Sequence, residues 1–250
     1  MPSFSPEGAK ARLDTLVVER GLAASRQRAQ ALIEQGHILV EGRAVLKRGA
    51  RVAVSAALRR LGEERAYASR GGEKLEAALA AFVLDPHGWV CLDVGASTGG
   101  FTDCLLRHGA RRVYAIDVGH GQLDPRLRAD PRVIAREKCN ARALRREDFG
   151  EAMDMVTVDV AFVSATLLLP ALVPLLRPGG AMVILVKPQF EVGRARIGKR
   201  GVVRDEAARA AALARVQQAA EAAGLKPRGA IPSPILGGEG NREFLLWAER

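Results

Sequence analysis

The chain has 250 residues, of which 48% are hydrophobic and 26% are charged. This length and composition exclude a disordered chain, because it can bury one substantial core and still leave residues for a second, smaller domain. The formal net charge of +10 at pH 7 favours a polyanionic partner, either nucleic acid or anionic lipid.

Cysteine and histidine usage argues against a disulfide framework and against a zinc site. The three cysteines are an odd number without CxxC spacing, and the four histidines lie far apart along the sequence. We therefore expect no metal and treat these residues as ordinary ones.

The sequence also argues against a membrane protein. Its longest apolar stretch, from Phe162 to Leu176, is too short to cross a bilayer and contains two prolines. The first ten residues lack the apolar region of a signal peptide. We therefore expect a cytoplasmic protein.

Residues 11–60 have the pattern of a small α+β domain. An apolar stripe predicts a first helix that Gly21 ends, and Ser25 is placed to cap a second helix. The residues expected to face inward are Leu13, Leu16, Val17, Leu32 and Ile33.

A hairpin is expected after the second helix, which Gly36 ends. Its strands are predicted at residues 37–40 and 51–54, and Glu41-Gly42 has the composition of a turn. Residues 61–69 are then a linker. From residue 70 to 250, apolar strands alternate with helical segments, which predicts a parallel α/β sheet.

Basic residues are in excess in the first domain. Residues 1–64 contain 11 Lys and Arg against 7 Asp and Glu, a net charge of +4. If these basic side chains lie on one face of the domain, that face can hold the phosphates of structured RNA. A solvated surface without a partner has the same composition. The predicted RNA contacts are Arg12, Arg26, Arg28, Lys47 and Arg48.

The order of residues is more specific than the charge. The run RLDTLVVERGLAASRQRAQALIEQGHILVEGRAVLKRGARV resembles the small αL-type RNA-binding domain found in a small-subunit ribosomal protein and in many pseudouridine synthases. This resemblance implies an RNA-binding function for residues 11–60.

A glycine-rich loop follows the first strand of the second domain, which runs from Trp89 to Val94. The strand, the loop and the following helix form a typical nucleotide-binding unit. A dinucleotide fingerprint needs glycine where Ser97 stands, whereas the DxGxSxGG arrangement resembles motif I of S-adenosylmethionine enzymes. The predicted cofactor contacts in this unit are Asp93, Gly95, Ala96, Ser97, Thr98, Gly99, Gly100 and Phe101.

Two further residues are candidates for the cofactor site. Asp117 ends the strand Arg112 to Ile116, and its carboxylate can accept both ribose hydroxyls of an adenosyl group. The alternative is that it caps the next segment. Asn140 lies where an adenine contact usually falls, but an exposed loop asparagine is nearly as compatible with the sequence.

Charged residues end four of the predicted strands, namely Asp93, Asp117, Asp159 and Lys187. The carboxyl ends of parallel strands meet at one edge of a sheet, so we expect all four to point into one crevice. Two of them serve the cofactor, and Asp159 and Lys187 then lie beside the transferable methyl group. A ribose hydroxyl is a poor nucleophile while it keeps its proton, and a neutral lysine can remove that proton.

Lys74 and Glu243 are less conspicuous. Lys74 stands in the first turn of a predicted helix, where a cation meets the unfavourable end of the helix dipole. Glu243 precedes the last strand. From sequence position alone, Lys74 is interpreted as a solvated helix lysine and Glu243 as a polar residue at the end of a strand.

The full set of motifs resembles the TlyA-type ribosomal RNA methyltransferases, a family formerly labelled hemolysins, whose catalytic domain is similar to the FtsJ type. The resemblance spans nearly the whole chain. Its motifs, in order, are SRGGEKLEAAL, LDVGASTGGFTDCLL, AIDVGHGQL, VDVAFVS, LVKPQFE and GGEGNREFLLW.

The resemblance implies a fold and a reaction. The fold is a Rossmann-like, seven-stranded S-adenosylmethionine methyltransferase domain after the αL-type domain. The reaction is methylation of a ribose 2′-hydroxyl, of a cytidine, in ribosomal RNA. The family's catalytic tetrad falls on Lys74, Asp159, Lys187 and Glu243, with Lys187 as the proton acceptor. Which ribosomal subunit is the target, and the oligomeric state, stay open.

Three other functions are compatible with parts of the sequence. A non-catalytic RNA-binding or ribosome assembly factor has no use for an intact glycine loop and tetrad. A hemolysin needs a membrane-active segment, which the prolines and glycines of residues 162–186 disfavour. A base methyltransferase commonly places different polar groups around the base edge.

A basic loop from Gly193 to Arg204 follows the strand that carries Lys187. Arg196 and Arg200 in this loop are candidates to hold substrate phosphates, and a solvated loop is the equal alternative.

Overall fold

The structure is a computed structural model that describes residues 9–23, 25–61, 67–193 and 196–250. The chain divides into two units, residues 1–64 and residues 65–250. Residues 62–66 of the expected linker lie outside the described residues.

The first unit contains the two expected helices, α1 (Leu13–Glu19) and α2 (Arg26–Glu34). The predicted cap is confirmed, because the Ser25 side chain accepts a hydrogen bond from the Arg28 backbone N–H at 3.2 Å. The predicted inward residues are also confirmed, because all five are buried. Four of them, Leu13, Val17, Leu32 and Ile33, form a small apolar core with Ala29 and Ile38.

The strands of this unit pair differently from the expected hairpin. Strand β2 (Ile38–Val40) pairs with β3 (Arg43–Ala44) and with β5 (Leu58–Arg60). Strand β4 (Arg51–Ala53) instead pairs with β1 (Lys10–Arg12). The reason is the turn: Glu41 and Gly42 both have positive φ, which is typical of a two-residue hairpin and brings Arg43 back beside Val40.

A buried carboxylate joins β1, α1 and α2. Asp14 is fully buried, and it accepts hydrogen bonds from the side chains of Arg12, Arg26 and Gln30 at 2.8 to 3.0 Å. The hydrogen bonds from Arg12 hold the pKa of this carboxyl well below its usual range, although burial opposes the shift. Asp14 therefore fixes the orientation of two arginines on the surface.

The second unit is built on one seven-stranded sheet. Its strands are β6 (Val90–Val94), β7 (Arg112–Ile116), β8 (Val133–Arg136), β9 (Met153–Val158), β10 (Leu176–Val186), β11 (Lys226–Pro232) and β12 (Phe244–Glu249). Their spatial order is β11-β12-β10-β9-β6-β7-β8. All neighbours are parallel except β12, which is antiparallel to both of its neighbours. The predicted Rossmann-like, seven-stranded fold is confirmed.

The central strands alternate their side chains between two apolar layers. Leu92, Val156 and Ile184 belong to one buried cluster, and Met155 and Val183 belong to the other. The helices that cover the sheet are α3 (Gly71–Phe82), α4 (Gly100–Arg107), α5 (Pro125–Ala129), α6 (Leu169–Leu172), α7 (Pro188–Glu191) and α8 (Glu206–Ala222). Short 3₁₀ turns occur at residues 141–143, 146–148, 165–167, 173–175, 199–201 and 238–240.

Helix α8 is rich in alanine. Its buried residues recur every four positions, at Ala208, Ala212, Val216 and Ala220. Across the described parts of the chain, none of the helices has the length and apolar character that crossing a membrane requires.

We expect Asp14→Asn to destabilise the first unit by about 1.5–3 kcal/mol, the range for a hydrogen bond to a charged group. The charge that pairs with both arginines is lost, while the shape of the side chain is kept. Urea unfolding of the full chain, combined with hydrogen exchange of residues 10–60, measures the change. Glu19→Gln, at an exposed position in the same helix, is the control, and an equal effect of both substitutions would contradict the role of Asp14.

Candidate active site

Strand ends bring the glycine loop and Asp159 together. Strands β6 and β9 pair in register from Cys91 to Val94, and the Asp159 backbone N–H donates to the Val94 carbonyl at 2.9 Å. Gly95 has a φ of +87°, and a Cβ at this position would lie 2.3 Å from the Asp159 carbonyl oxygen. Only glycine satisfies both conditions.

A cavity of about 290 Å³ opens at this edge of the sheet. The glycine loop forms one wall, through residues 95–98, Gly100 and Phe101. The opposite walls come from residues 69–71 with Lys74, from Asp159, and from residues 235–238. The start of α4 packs tightly on the start of α3, because a Cβ on Gly100 would lie 2.2 Å from the Ser69 hydroxyl oxygen.

The four residues of the implied tetrad form two ion pairs at this cavity. Lys74 Nζ lies 2.6 Å from Glu243 Oε2, and Lys187 Nζ lies 2.5 Å from Asp159 Oδ1. Lys74 and Asp159 line the cavity, whereas their partners, Glu243 and Lys187, are not part of its wall. Lys74, which the sequence could not distinguish from a solvated lysine, is only 8% exposed.

Sheet register explains how residues so distant in sequence meet. Val186 of β10 pairs with Phe244 of β12 in an antiparallel ladder. Lys187 and Glu243 are the next residues beyond this pair, so they stand across from each other. β9, which ends before Asp159, is the other neighbour of β10.

The expectation that all four charged strand ends point into one crevice is wrong for Asp93. Its side chain is fully buried and accepts hydrogen bonds from the hydroxyls of Thr102 and Thr157 at 2.7 and 3.1 Å. Burial raises the pKa of Asp93 to about 7, against the effect of the Thr102 hydrogen bond. The carboxylate braces the glycine loop from behind.

Asp117 remains a suitable ribose acceptor, because it is only partly buried and each oxygen has a further lone pair. Its two carboxylate oxygens accept the backbone N–H groups of Ser97 and Gly119 at 2.8 and 2.6 Å. Asn140 caps a 3₁₀ turn by accepting the Arg142 N–H at 3.0 Å. Neither residue, nor Gly99, is part of the cavity wall.

The predicted RNA contacts lie on both units. In the first unit, Arg12, Arg26, Lys47 and Arg48 are exposed and Arg28 is half-buried. In the second unit, Arg196 and Arg200 are exposed.

The basic loop of the second unit is tied to a cavity wall through Asn241. This side chain accepts the Val203 N–H at 3.0 Å and donates to the carbonyls of Gly201 and Gly238 at 3.0 and 3.2 Å. The loop therefore adjoins the segment that ends in Glu243.

Phe162 is a candidate that the sequence reasoning missed. It stands three residues after Asp159, is 93% exposed, and has a positive φ of 65°. Its ring lies 5.6 Å from that of Phe190, between centroids. The only sequence signal is an aromatic residue in a loop directly after a catalytic strand. Phe162 thus combines an exposed ring with a strained backbone conformation, and such strain is typical of functional positions.

A second cluster lies between α3 and α4. Ligand-type atoms of Glu76, Cys104 and His108 all lie within 4.8 Å of one another, which brings a cysteine of α4 and the histidine directly after this helix together beside a glutamate of α3. The Tyr67 hydroxyl and His108 Nε2 each lie 2.6 Å from Glu76 Oε2. The hydrogen bond from Tyr67, followed by that from His108, lowers the pKa of Glu76. We interpret the cluster as a polar network that ties the two helices together.

A seven-stranded sheet with a single antiparallel strand, a glycine loop after its first strand, and paired lysines and carboxylates at the carboxyl edge define a Rossmann-type methyltransferase. Comparison with known families agrees with this class. The S4 domain matches residues 11–57, and the FtsJ-like methyltransferase matches residues 67–250. The chain belongs to the FtsJ-like methyltransferase family and carries an S4 domain before the catalytic one.

Relatives similar over nearly the whole chain are known. One is "16S/23S rRNA (cytidine-2'-O)-methyltransferase TlyA" of Mycobacterium tuberculosis, 45% identical over 95% of this chain and 89% of the relative. Another is YqxC of Bacillus subtilis, described as a candidate rRNA methyltransferase, 44% identical over 95% and 85%. A solved structure from Streptococcus thermophilus, described as a candidate hemolysin, is 42% identical with a TM-score of 0.76, covering 96% of this chain and 88% of that one.

The raised pKa of Asp93 predicts a pH dependence of stability. The folded protein binds a proton that the unfolded chain releases near pH 4, so Asp93 lowers stability progressively from about pH 4 to about pH 7, where the loss levels off. The neutral variant Asp93→Asn lacks this loss, and its stability relative to the natural protein should rise through that window. Each unit of difference between the two pKa values corresponds to about 1.4 kcal/mol.

Thermal unfolding between pH 4.5 and 8 measures the effect, with Asp85→Asn, at an exposed aspartate of the same unit, as the control. A difference between the natural protein and Asp93→Asn that does not change with pH would show that Asp93 is charged throughout.

Proposed function

We propose that this protein transfers a methyl group from S-adenosylmethionine to the 2′-hydroxyl of a cytidine in ribosomal RNA, in the cytoplasm. The observation that carries the proposal is the pair of lysine–carboxylate contacts beside the glycine loop. The relative from Mycobacterium tuberculosis bears a name for this reaction and is similar over both units.

The residues of the cavity wall suit S-adenosylmethionine. Gly95 and Gly100 let the backbone come close to a ligand, and the N-terminus of α4 favours electronegative groups. Asp117 is the proposed acceptor for the ribose hydroxyls. When bound, the cofactor supplies an electrophilic methyl group on a sulfonium.

The residues of the tetrad have different tasks in this proposal. Lys187, as the neutral amine, accepts the proton of the 2′-hydroxyl while the oxygen attacks the methyl group. Asp159, 2.5 Å away, stabilises the ammonium that forms. Glu243 holds Lys74 in the cavity wall at 2.6 Å.

The RNA substrate is proposed to contact both units. The S4 domain supplies Arg12 and Arg26, which Asp14 orients, together with Arg28, Lys47 and Arg48. Arg196 and Arg200 stand in the basic loop beside the segment that ends in Glu243. These positions suit contacts to phosphates, which fix the register of an RNA without reading its sequence.

Lys187→Ala should abolish methyl transfer and leave S-adenosylmethionine binding nearly unchanged, because Lys187 acts in the transition state. Labelled methyl transfer to ribosomal subunits and to free RNA, followed by mapping of the modified nucleoside, tests this together with the reaction. Lys226→Ala, at an exposed lysine, is the control.

Undiminished transfer by Lys187→Ala would remove Lys187 from the mechanism. Binding of the cofactor by the natural protein without transfer to any RNA would instead favour a non-catalytic assembly factor.

Phe162 is proposed to stack on a base of the substrate, because an exposed ring beside Asp159 offers an apolar face to an unpaired nucleotide. Replacing a stacking aromatic with alanine costs about 1–3 kcal/mol per base. Phe162→Ala should therefore raise the KM for RNA more than it lowers kcat. Phe162→Tyr keeps an aromatic ring and should restore the KM of the natural protein.

Steady-state kinetics with RNA as the varied substrate measures this. Val83→Ala, at a side chain 89% exposed at the far end of α3, is the control. An unchanged KM in Phe162→Ala would exclude the stacking contact.

A further inference from the structure

Two segments of the second unit each carry one residue of the proposed ion pair. The first is the substrate loop, which we define as residues 159–164 after β9. The second is Lys187 together with α7, which follows β10. Three contacts join the two segments: Asp159 with Lys187, Phe162 with Phe190, and Ser164 with Glu191.

Neither residue of the third contact lines the cavity. Glu191 is 4% exposed, and its carboxylate accepts the Ser164 hydroxyl at 2.5 Å and the Ala165 backbone N–H at 2.8 Å. A buried carboxylate is costly unless its oxygens are hydrogen-bonded, so these two donors hold it firmly. One donor is the last residue of the substrate loop, and the other is the residue that follows it.

The Ser164 hydroxyl is itself fixed by its neighbour. It lies 2.7 Å from the Thr166 hydroxyl and accepts the Thr166 backbone N–H at 3.3 Å, which caps the 3₁₀ turn of residues 165–167. On the other side, Arg215 of α8 donates to the Glu191 carbonyl at 2.9 Å. Glu191 therefore joins the substrate loop to two helices.

The loop needs such support, because Phe162 has a positive φ and almost no surface buried by its neighbours. A non-glycine residue in this conformation costs about 1–3 kcal/mol and persists only where the surroundings fix it. The loop is fixed at Asp159 by the sheet and at Ser164 by Glu191. Between these two points the backbone of the loop has few other conformations open to it.

We infer that Glu191 is a positioning residue for methyl transfer: its hydrogen bonds to Ser164 and Ala165 set the substrate loop, and thereby the places of Phe162 and Asp159 relative to Lys187. Glu191 itself touches neither cofactor nor RNA. This inference rests on the proposed function, since it concerns the chemistry of that same site.

Catalysis and cofactor binding should respond differently to the loss of Glu191. Glycine-loop residues 95–101 come from a different segment, so the loss of Glu191 should affect the reaction step and the RNA contact first. A displacement of reacting groups by about 1 Å can lower a rate about a hundredfold. A general loss of structure would instead weaken cofactor binding in parallel.

Glu191→Gln is the conservative test, because it keeps both contacts. The amide oxygen can accept the Ala165 N–H, and the amide nitrogen can donate to Ser164 Oγ, whose hydrogen then turns toward Thr166. Glu191→Ala removes both contacts, and Ser164→Ala removes one of them without changing the carboxylate. Glu221→Ala, an exposed glutamate of α8, is the matched control.

The first measurement is the single-turnover rate of methyl transfer at saturating cofactor and RNA, with cofactor affinity from calorimetry. We expect the rate of Glu191→Ala to fall about tenfold or more while the Kd for S-adenosylmethionine stays within about twofold. Glu191→Gln should recover to within about threefold of the natural protein, and Ser164→Ala should lie between them.

The second measurement does not depend on activity. In Glu191→Ala, hydrogen exchange should become faster in residues 159–167 and stay unchanged in residues 95–107. If the natural protein methylates no RNA, the proposed function fails, but this exchange pattern still decides whether Glu191 holds the loop.

Three outcomes would overturn the inference. The first is a rate for Glu191→Ala within about twofold of the natural protein. The second is a parallel loss of rate and cofactor affinity in both Glu191→Ala and Ser164→Ala. The third is unchanged exchange in residues 159–167.

Discussion

The pairing of buried charges is the constraint on which the site depends. A lysine and a glutamate 169 positions apart, Lys74 and Glu243, meet at 2.6 Å with little access to water. Neither charge is tolerated there alone, because the desolvation cost of an unpaired ion is several kcal/mol. The start of α3 and the segment before β12 must therefore come together. The pair of Lys187 with Asp159, which is only partly buried, joins the ends of β9 and β10.

Close backbone approach supports this arrangement. At Gly95, Gly100 and Gly237 a Cβ would meet another group at 2.0 to 2.3 Å. The group beside Gly237 is the Glu243 carboxylate, so this glycine makes room for the residue that holds Lys74. Asp93 braces the glycine loop from the core side through Thr102 and Thr157. The cavity is thus formed by contacts that only a few residue types permit.

Carboxylates that touch no substrate recur as organising groups in both units. Asp14 orients Arg12 and Arg26 on the surface of the first unit, and Glu191 holds the end of the substrate loop in the second. In each case a buried acid accepts hydrogen bonds from residues outside its own helix. A buried carboxylate needs several donors, which makes it well suited to fix the relative position of groups that face solvent.

The sequence by itself determined the class of fold, the two-part organisation and the glycine loop, because hydrophobic period, turn residues and loop composition are local properties. Resemblance to known motifs added the four tetrad residues. Only the tertiary structure decided which lysine meets which carboxylate, that Asp93 turns into the core, and that β4 pairs with β1 instead of β2. It also placed Phe162 on the surface and Glu191 and Asp14 in the interior, and of these three only Phe162 had a sequence signal. These features depend on register and on burial, which are set by contacts between residues far apart in the chain.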